Sequence, residues 1–354
     1  MTGPASIGKV MHVVAGARFG GAETFTSDLF VALQEAGLNQ VVVTRPWPER
    51  VARLQQAGVP VVAARLPFAL PPALGRLALS RIVARERPSV IVAYMGRAAA
   101  IVPQGAIGWF GGYYDLKRYA RCTRLVAITP HMRNDLLGRG ADADRVSLIP
   151  TFAALEDSPP ALRRDLGTPP DAPLLLCLAR LHRKKGLDTL LEAMALLPEA
   201  HLWLAGEGEL RNTLEAQGAR LGLLPRRLRF LGWRQDRGAL LRAADLLVVP
   251  SRYEPFGTVV IEGWAAGTPV VAAAAAGPAA TITDGETGLL VPVDDAPALA
   301  AAIRRMLGDG ALRQRLVSGA SAALESRYSR AAVVSAWLDL LARHARGRTR
   351  ESAG

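Results

Sequence analysis

The sequence predicts an α/β protein built on two separate parallel β-sheets. Three observations carry this prediction. Short β-branched runs alternate with amphipathic helical stretches, the rhythm of strand–helix–strand units in a parallel sheet. At 354 residues the chain exceeds one ordinary core and suits two domains of typical size. A proline-rich stretch without sustained periodicity, TFAALEDSPPALRRDLGTPPDAP, breaks the alternation after Pro150.

The first series of strands is read at KVMHVVA, QVVVT, VPVVAA, SVIVAY, RLVAIT and RVSLIP. The proline-rich stretch places the boundary near 151–172, giving domains at 1–155 and 156–328. The second series follows at PLLLCLA, AHLWLAG, RLRFLG, DLLVVP, PVVAAA and GLLVPV. From Ala296 onward the pattern is helical. RAAVVSAWLDLLARHAR is amphipathic, so 329–354 reads as a terminal helix that can cross back to the first domain, with an irregular last dozen residues. Open parallel sheets bind ligands at the carboxyl ends of their strands, so the chemistry is expected in strand-to-helix loops, with two sheets facing each other across a cleft.

Composition narrows the function. Half the residues are apolar and 21% are charged, as in a soluble globular protein. Cys122 and Cys177 stand 55 positions apart without partners at metal-ligand spacing and read as buried thiols. MTGPASIGKVMHVV lacks the apolar core of a signal peptide, and TPVVAAAAAGPAATI is too short and too broken to span a bilayer, so a cytoplasmic location without a membrane helix is expected. Residues 1–150 carry 18 Lys/Arg against 9 Asp/Glu, whereas 151–354 carry 25 against 22. The uneven charge fits an acidic partner for the first domain, such as anionic lipid or a phosphorylated substrate. It fits equally a solvated arginine-rich surface, because the chain has only four lysines. Nucleic acid is set aside, since the arginines are dispersed and lack interleaved aromatics for stacking.

Three loops carry candidate chemistry. In AGARFGGAETF, Gly20 and Gly21 follow the first strand and a helix opens near Ala22, so backbone N–H groups can face a phosphate; a tight turn explains the glycines as well. The spacing is not G-x-G-x-x-G, and the second strand ends in Thr44-Arg45 without an acidic residue for a ribose, which argues against an NAD enzyme. In ARLHRKKG, Arg180 and Lys185 sit at a strand's carboxyl end where cations invite an anion, while His182 reads as a bystander. In SRYEPFGTVVIEGWAAGTPVV, a strand from Asp245 to Pro250 leads through the turn Glu254-Pro-Phe-Gly to a helix starting at Thr258. Its first N–H groups, from Gly257 to Val259, suit a phosphate. Glu254 precedes the turn and can face the cleft, and Glu262 lies about one turn into a helix with little exposed surface, where a carboxylate needs a partner such as a sugar hydroxyl. The plainer readings are a helix-end charge for Glu254 and a solvated helix residue for Glu262. Together the loops describe a diphosphate site ringed by hydroxyl-binding carboxylates.

The combination of GGAE at Gly20 to Glu23, R-x4-K-G at Arg180 to Gly186, EPFG-x4-E at Glu254 to Glu262, AAGTPVV and DGETGLLVP resembles glycosyltransferase family 4, retaining enzymes of the GT-B fold with two Rossmann-like domains. The likeness is dense from Leu174 to Pro292 and rests on the glycine loop and strand order in the first domain. It implies that Arg180 and Lys185 neutralise the donor diphosphate, Glu254 contacts hydroxyls of the transferred sugar and Glu262 holds the nucleotide ribose. It further implies that backbone groups of Phe256, Gly257, Thr258 and Val259 bind sugar or phosphate, that Gly20 and Gly21 approach the diphosphate, and that the nucleobase lies near Gly232 to Arg234. A nucleotide-sugar donor is implied, with a UDP-sugar favoured over a GDP- or ADP-sugar, and neither metal nor cofactor. Asp294-Asp295 is not a D-x-D motif.

One departure concerns the histidine that family members often carry after the fourth strand, where this chain reads AYMGRAA. Arg97 cannot act as a base in its place, although in a front-side retaining mechanism the leaving phosphate can take the acceptor proton. GWFGGYYDLKRYARCTRLVAIT is unusually aromatic and is similar to bacterial members acting on lipopolysaccharide or related envelope glycans. Arg97, Tyr113, Tyr114 and Lys117 are candidate acceptor-binding residues; packing at a domain surface is the alternative. The implied activity is sugar transfer to a glycan or lipid-linked acceptor, in the cytoplasm or peripherally on the inner face of the cytoplasmic membrane. Arg76, Arg81, Arg85 and Arg87 along PPALGRLALSRIVARERP, with Leu74, Leu77, Ile82 and Val83, are the expected membrane contacts, unless that helix simply packs on its own sheet. Other readings stay open at the level of residues. A glycosidase would use Glu254 and Glu262 but leave Arg180 and Lys185 unexplained. A sugar-nucleotide epimerase and a non-catalytic nucleotide-sugar-binding scaffold are the remaining rivals.

Overall fold

Every strand among the described residues runs parallel to its neighbours, successive strands of each sheet being joined by crossover connections. The computed structural model describes residues 7–18, 20–65 and 72–351, with backbone alone at 348–351. Residues 1–6, Phe19 of the glycine loop, residues 66–71, the side chains of residues 348–351 and residues 352–354 lie outside the described residues. The chain divides into two compact units, one of Met1–Phe152 with Arg330–Gly354 and one of Ala153–Ser329.

The first unit has a seven-stranded sheet in the order β3-β2-β1-β4-β5-β6-β7. Its strands are β1 (Val10–Val14), β2 (Gln40–Thr44), β3 (Val61–Ala63), β4 (Val90–Tyr94), β5 (Ala106–Trp109), β6 (Cys122–Ala127) and β7 (Val146–Leu148). The helices are α1 (Gly21–Glu35), α2 (Pro48–Gln56), α3 (Pro72–Glu86), α4 (Met95–Ala99) and α5 (Pro130–Gly138). β1, β2 and β4 are buried along their whole length, which is why they read as unbroken apolar runs rather than alternating ones. β5 has no counterpart in the sequence reading. It is a four-residue strand with a single β-branched residue, and Gly108 within it packs beneath the ring of Tyr119.

The second unit has a six-stranded sheet in the order β10-β9-β8-β11-β12-β13. It comprises β8 (Leu174–Leu178), α6 (Leu187–Ala195), β9 (His201–Ala205), α7 (Arg211–Arg220), β10 (Leu228–Gly232), α8 (Arg237–Ala243), β11 (Leu246–Val249) and α9 (Thr258–Ala265). Then follow β12 (Val270–Ala273), α10 (Ala276–Thr281), β13 (Leu289–Val291), α11 (Ala296–Gly308) and α12 (Gly310–Arg327). Leucines from β8, α6, β9, α11 and α12 form its core. The proline-rich stretch is tied to α8: the Glu156 carboxylate accepts the Gly238 and Ala239 N–H groups, and Arg242 donates to the Ser158 carbonyl at 2.7 Å.

α13 (Arg330–Glu351) returns to the first unit, where Trp337 is fully buried and packs against Tyr94, and His344 bonds the Gly105 carbonyl at 2.8 Å. The helix runs through residues expected to be irregular, because Leu340, Leu341 and Ala342 are buried and anchor its middle turns. No helix among the described residues is long and apolar enough to cross a membrane.

Candidate functional site

In the second unit the sheet order reverses between β8 and β11, whose crossovers run to opposite sides. A crevice opens at the carboxyl ends of strands at such a point. The loops leaving these two strands are the ones singled out by the sequence. They are joined backbone to backbone, since the N–H groups of Arg252 and Tyr253 both donate to the Lys184 carbonyl, at 2.9 and 3.0 Å. Gly186 permits this approach. Its φ of +60° lies in the left-handed region, and a Cβ there would sit 2.1 Å from the Pro250 carbonyl oxygen.

Across this junction the Lys185 ammonium donates to the Glu254 carboxylate, and both side chains are largely buried. Arg180 stands exposed at the end of β8. His182 has a structural part: Nδ1 accepts the Lys184 N–H at 3.1 Å and caps the single turn Arg183–Lys185.

Helix α9 begins at Thr258, with Gly257 as its N-cap and no capping side chain. Its N–H groups therefore supply the positive end of the helix at the head of the crevice. Phe256 is buried against Tyr328 in an edge-on arrangement, fixing the turn from below. Glu262 is 5% exposed, and Arg237 at the start of α8 donates to it. The expected partner for a buried carboxylate is thus supplied from within the protein. Gly232 ends β10, and Arg234 next to it pairs with Asp236 at 2.5 and 2.8 Å. Hydrogen bonding to Arg234 holds the Asp236 carboxyl below the usual carboxylate range and raises Arg234 in return.

Several residues that shape the site escaped sequence reading. Arg252 ties its loop to α6 and two further segments: it donates to both Asp188 oxygens at 2.7 and 2.8 Å, to Asp294 at 2.6 Å and to the Arg183 carbonyl at 3.0 Å. Asp294 is thereby occupied, and Asp295 caps α11 by accepting the Ala298 N–H. Helix α10 holds the turn, with the Gly277 N–H donating to the Glu254 carbonyl at 2.7 Å and the Thr281 hydroxyl donating to that of Phe256 at 3.3 Å. Apart from the local Asp295 cap, these pairings span tens of residues and leave no local signature.

In the first unit the order likewise reverses between β1 and β4. Gly20 is the N-cap of α1, and the Glu23 carboxylate accepts the Ala17 N–H at 2.8 Å, folding the glycine loop over its own helix. Directly after β4, in the stretch AYMGRAA, stands Met95, 8% exposed, with a φ of +68° that is strained for a residue with a side chain. Arg97 and Lys117 are exposed, on α4 and in the turn Leu116–Tyr119. Tyr113 and Tyr114 are half-buried rather than core residues. The Tyr113 hydroxyl bonds His131 Nδ1 at 2.6 Å, and Arg139 donates to the Tyr114 carbonyl at 2.8 Å. Burial pushes both the Cys122 and Cys177 thiols up to about 12, so they are inert packing groups.

The family described as glycosyl transferases group 1 matches residues 159–322, and that described as Glycosyltransferase Family 4 matches residues 19–157. The lipopolysaccharide core biosynthesis glycosyltransferase LpsD of Rhizobium meliloti (strain 1021) is 36% identical over 340 residues, 95% of this chain and 98% of that protein. The chain belongs to glycosyltransferase family 4. LpsE of the same organism, carrying the same description, is 35% identical over 345 residues, covering 94% and 99%. Among solved structures, Anabaena HepE in complex with UDP and glucose superimposes with a TM-score of 0.83 at 23% identity over 95% of this chain and all of that one. WaaG, a glycosyltransferase involved in lipopolysaccharide biosynthesis, gives 0.73 at 18% identity, covering 94% and 99%. The protein is a glycosyltransferase of GT-B fold with two Rossmann-like parallel-sheet domains.

Proposed function

We propose that this glycosyltransferase moves a sugar with retention of configuration from a nucleotide sugar, a UDP-sugar being favoured, to a glycan or lipid-linked acceptor in the synthesis of lipopolysaccharide or a related envelope glycan. The observation that carries the reading is the Lys185–Glu254 pair at the β8/β11 crevice, beside the uncapped start of α9. A cation and a helix N-terminus stabilise charge developing on a departing diphosphate, while an adjacent carboxylate accepts hydrogen bonds from sugar hydroxyls. In this reading Arg180 and Lys185 take the diphosphate, Glu254 the sugar and Glu262 the ribose. Phe256 to Val259 offer backbone groups, and Gly232 and Arg234 border the base. Gly20 and Gly21 are donor-binding in the first unit, and Arg97, Tyr113, Tyr114 and Lys117 are acceptor-binding. No metal has a part in it. The setting draws support from the relatives named for lipopolysaccharide core biosynthesis, and the donor class from HepE, solved with UDP-glucose. A lipid-linked acceptor would be met at the inner face of the cytoplasmic membrane, with the chain attached peripherally.

A thermal-shift panel of UDP-, GDP- and ADP-sugars tests the donor, since a ligand at a hundred times its Kd stabilises by about 2.7 kcal/mol. Transfer or slow donor hydrolysis, product inhibition by the matching nucleoside diphosphate and an anomeric assignment of the product by NMR test the chemistry. A broad panel yielding neither transfer nor hydrolysis overturns the assignment of substrates. An inverted product overturns retention.

A further inference from the structure

We infer that the outward face of α3 is a docking surface for an anionic lipid bilayer. The inference rests on the proposed function only for the place where the acceptor is met.

α3 is a fifteen-residue helix that buries only Gly75 and Leu79. A helix packed on its own sheet buries an apolar stripe along its whole length; this one leaves Leu74 at 47% and Leu77 at 54% exposure. Ile82 and Val83, expected beside them, are half-buried. Spacing by three and four places Leu74, Leu77, Arg81, Ala84 and Arg85 on one outward face, all of them exposed. The leucines occupy its first half and the arginines its second.

The charge on this face has one sign. Glu86 is the only acidic residue of α3, and Lys9 and Arg85 both pair with it. Arg81 forms no ion pair among the described residues, and exposed Arg87 follows the helix. The arrangement matches a bilayer surface: leucines enter the interface while arginines reach lipid phosphates on long apolar stems. The excess of basic residues in 1–150, 18 against 9, adds long-range attraction to the same partner.

The test is co-sedimentation of the full chain with phosphatidylcholine vesicles and with vesicles enriched in phosphatidylglycerol, at low and physiological salt. Binding should require the anionic lipid and weaken as salt rises. R81Q/R85Q should bind about thirtyfold more weakly, the worth of two basic contacts with an anionic surface. L74S/L77S should lose about as much from two half-exposed leucines. Both pairs lie on the surface, so each variant should keep the parent's thermal midpoint and its stabilisation by UDP. The proposal is overturned if the parent stays in the supernatant with strongly anionic vesicles at low salt, or if both variants bind as the parent does. It is also overturned if L74S/L77S instead converts a dimer to monomer in sedimentation velocity, which would make a second copy the occupant. Failure of UDP to stabilise the parent would count against the donor reading alone.

Discussion

Gly277→Ala changes one hydrogen to a methyl group in α10, directly behind the turn that carries Glu254 and Phe256. The backbone at Gly277 lies outside the left-handed region, so alanine carries no conformational penalty there, and helix propensity alone would favour it by up to about 1 kcal/mol. The surroundings reverse the sign. A Cβ at this position lies 2.4 Å from the Glu254 carbonyl oxygen and 2.6 Å from both the amide nitrogen and the carbonyl carbon of Phe256. All three are backbone atoms of the turn that presents Glu254, and none can rotate aside as a side-chain end would. Non-bonded heavy atoms settle near 3.5 Å, so α10 and the turn must separate by about 1 Å. The 2.7 Å hydrogen bond from the Gly277 N–H to the Glu254 carbonyl lengthens with them.

Overpacking of this kind costs about 1–3 kcal/mol in stability, and a 1 Å displacement of a positioning element lowers turnover about a hundredfold. The assay is kcat and KM for the nucleotide-sugar donor, followed by release of nucleoside diphosphate, with circular dichroism to confirm the fold. Gly310→Ala serves as control, because its nearest outside atom is Arg313 Nη2 at 3.6 Å. A folded Gly277→Ala enzyme with kcat/KM within about threefold of the parent refutes the reasoning.

Lys185→Ala should lower kcat about a hundredfold or more, because the departing diphosphate loses a cation that acts most strongly in the transition state; an unchanged kcat removes Lys185 from the mechanism. Arg237→Met takes the guanidinium from a Glu262 only 5% exposed, and chemical denaturation should show a loss of about 2 kcal/mol, below the 3–5 of a fully buried pair because the Arg237 side chain is itself 24% exposed. Arg237→Lys should restore part of it. His12 is buried in β1, with Nδ1 on the Tyr94 hydroxyl at 2.9 Å, and burial depresses it to about 3 from an ordinary 6.5. The unfolded chain therefore binds a proton below 6.5 that the folded chain refuses. Stability is complete above 6.5 and falls toward pH 3, by about 2 kcal/mol at pH 5. Urea denaturation of parent and His12→Asn at pH 7.5 and pH 5 checks this, and equal pH dependence in both would exclude His12 as the cause.

The fold was legible wherever a strand is buried on both faces. QVVVT and DLLVVP declare themselves by β-branched and leucine runs between turn residues, because crossovers cover such strands on both sides. β5 was not legible, since its burial depends on Tyr119 and Cys122 packing around Gly108, a tertiary fact without periodicity. The same division runs through the site. Lys185, Glu254, Gly257 and Glu262 sit in contiguous loop motifs, whereas Arg237 reaches Glu262 across 25 positions and Arg252 reaches Asp188 across 64. Surface arginines are numerous in this chain, so nothing local distinguishes these two from the rest until the sheet brings their loops together. Leu74 and Leu77 are the converse case: the helical pattern was evident, but only the packing tells which leucines the unit leaves outside.

The pairing of Lys185 with Glu254 and of Arg237 with Glu262 bears on how a donor would enter. Both carboxylates are poorly exposed, so a ligand that takes a cation away must give its carboxylate something in return, or leave a desolvated charge behind at a cost of several kcal/mol. A diphosphate alone competes for Lys185 and offers Glu254 no donor. A nucleotide sugar supplies both halves of the exchange: phosphate oxygens for the cation and sugar hydroxyls for the carboxylate. Ribose hydroxyls can serve Glu262 in the same way. On the proposed function, diphosphate and hydroxyl recognition are therefore coupled through ion pairs that the protein already holds, and selectivity for an intact donor over pyrophosphate or a free sugar follows from the penalty on partial exchange rather than from any one contact.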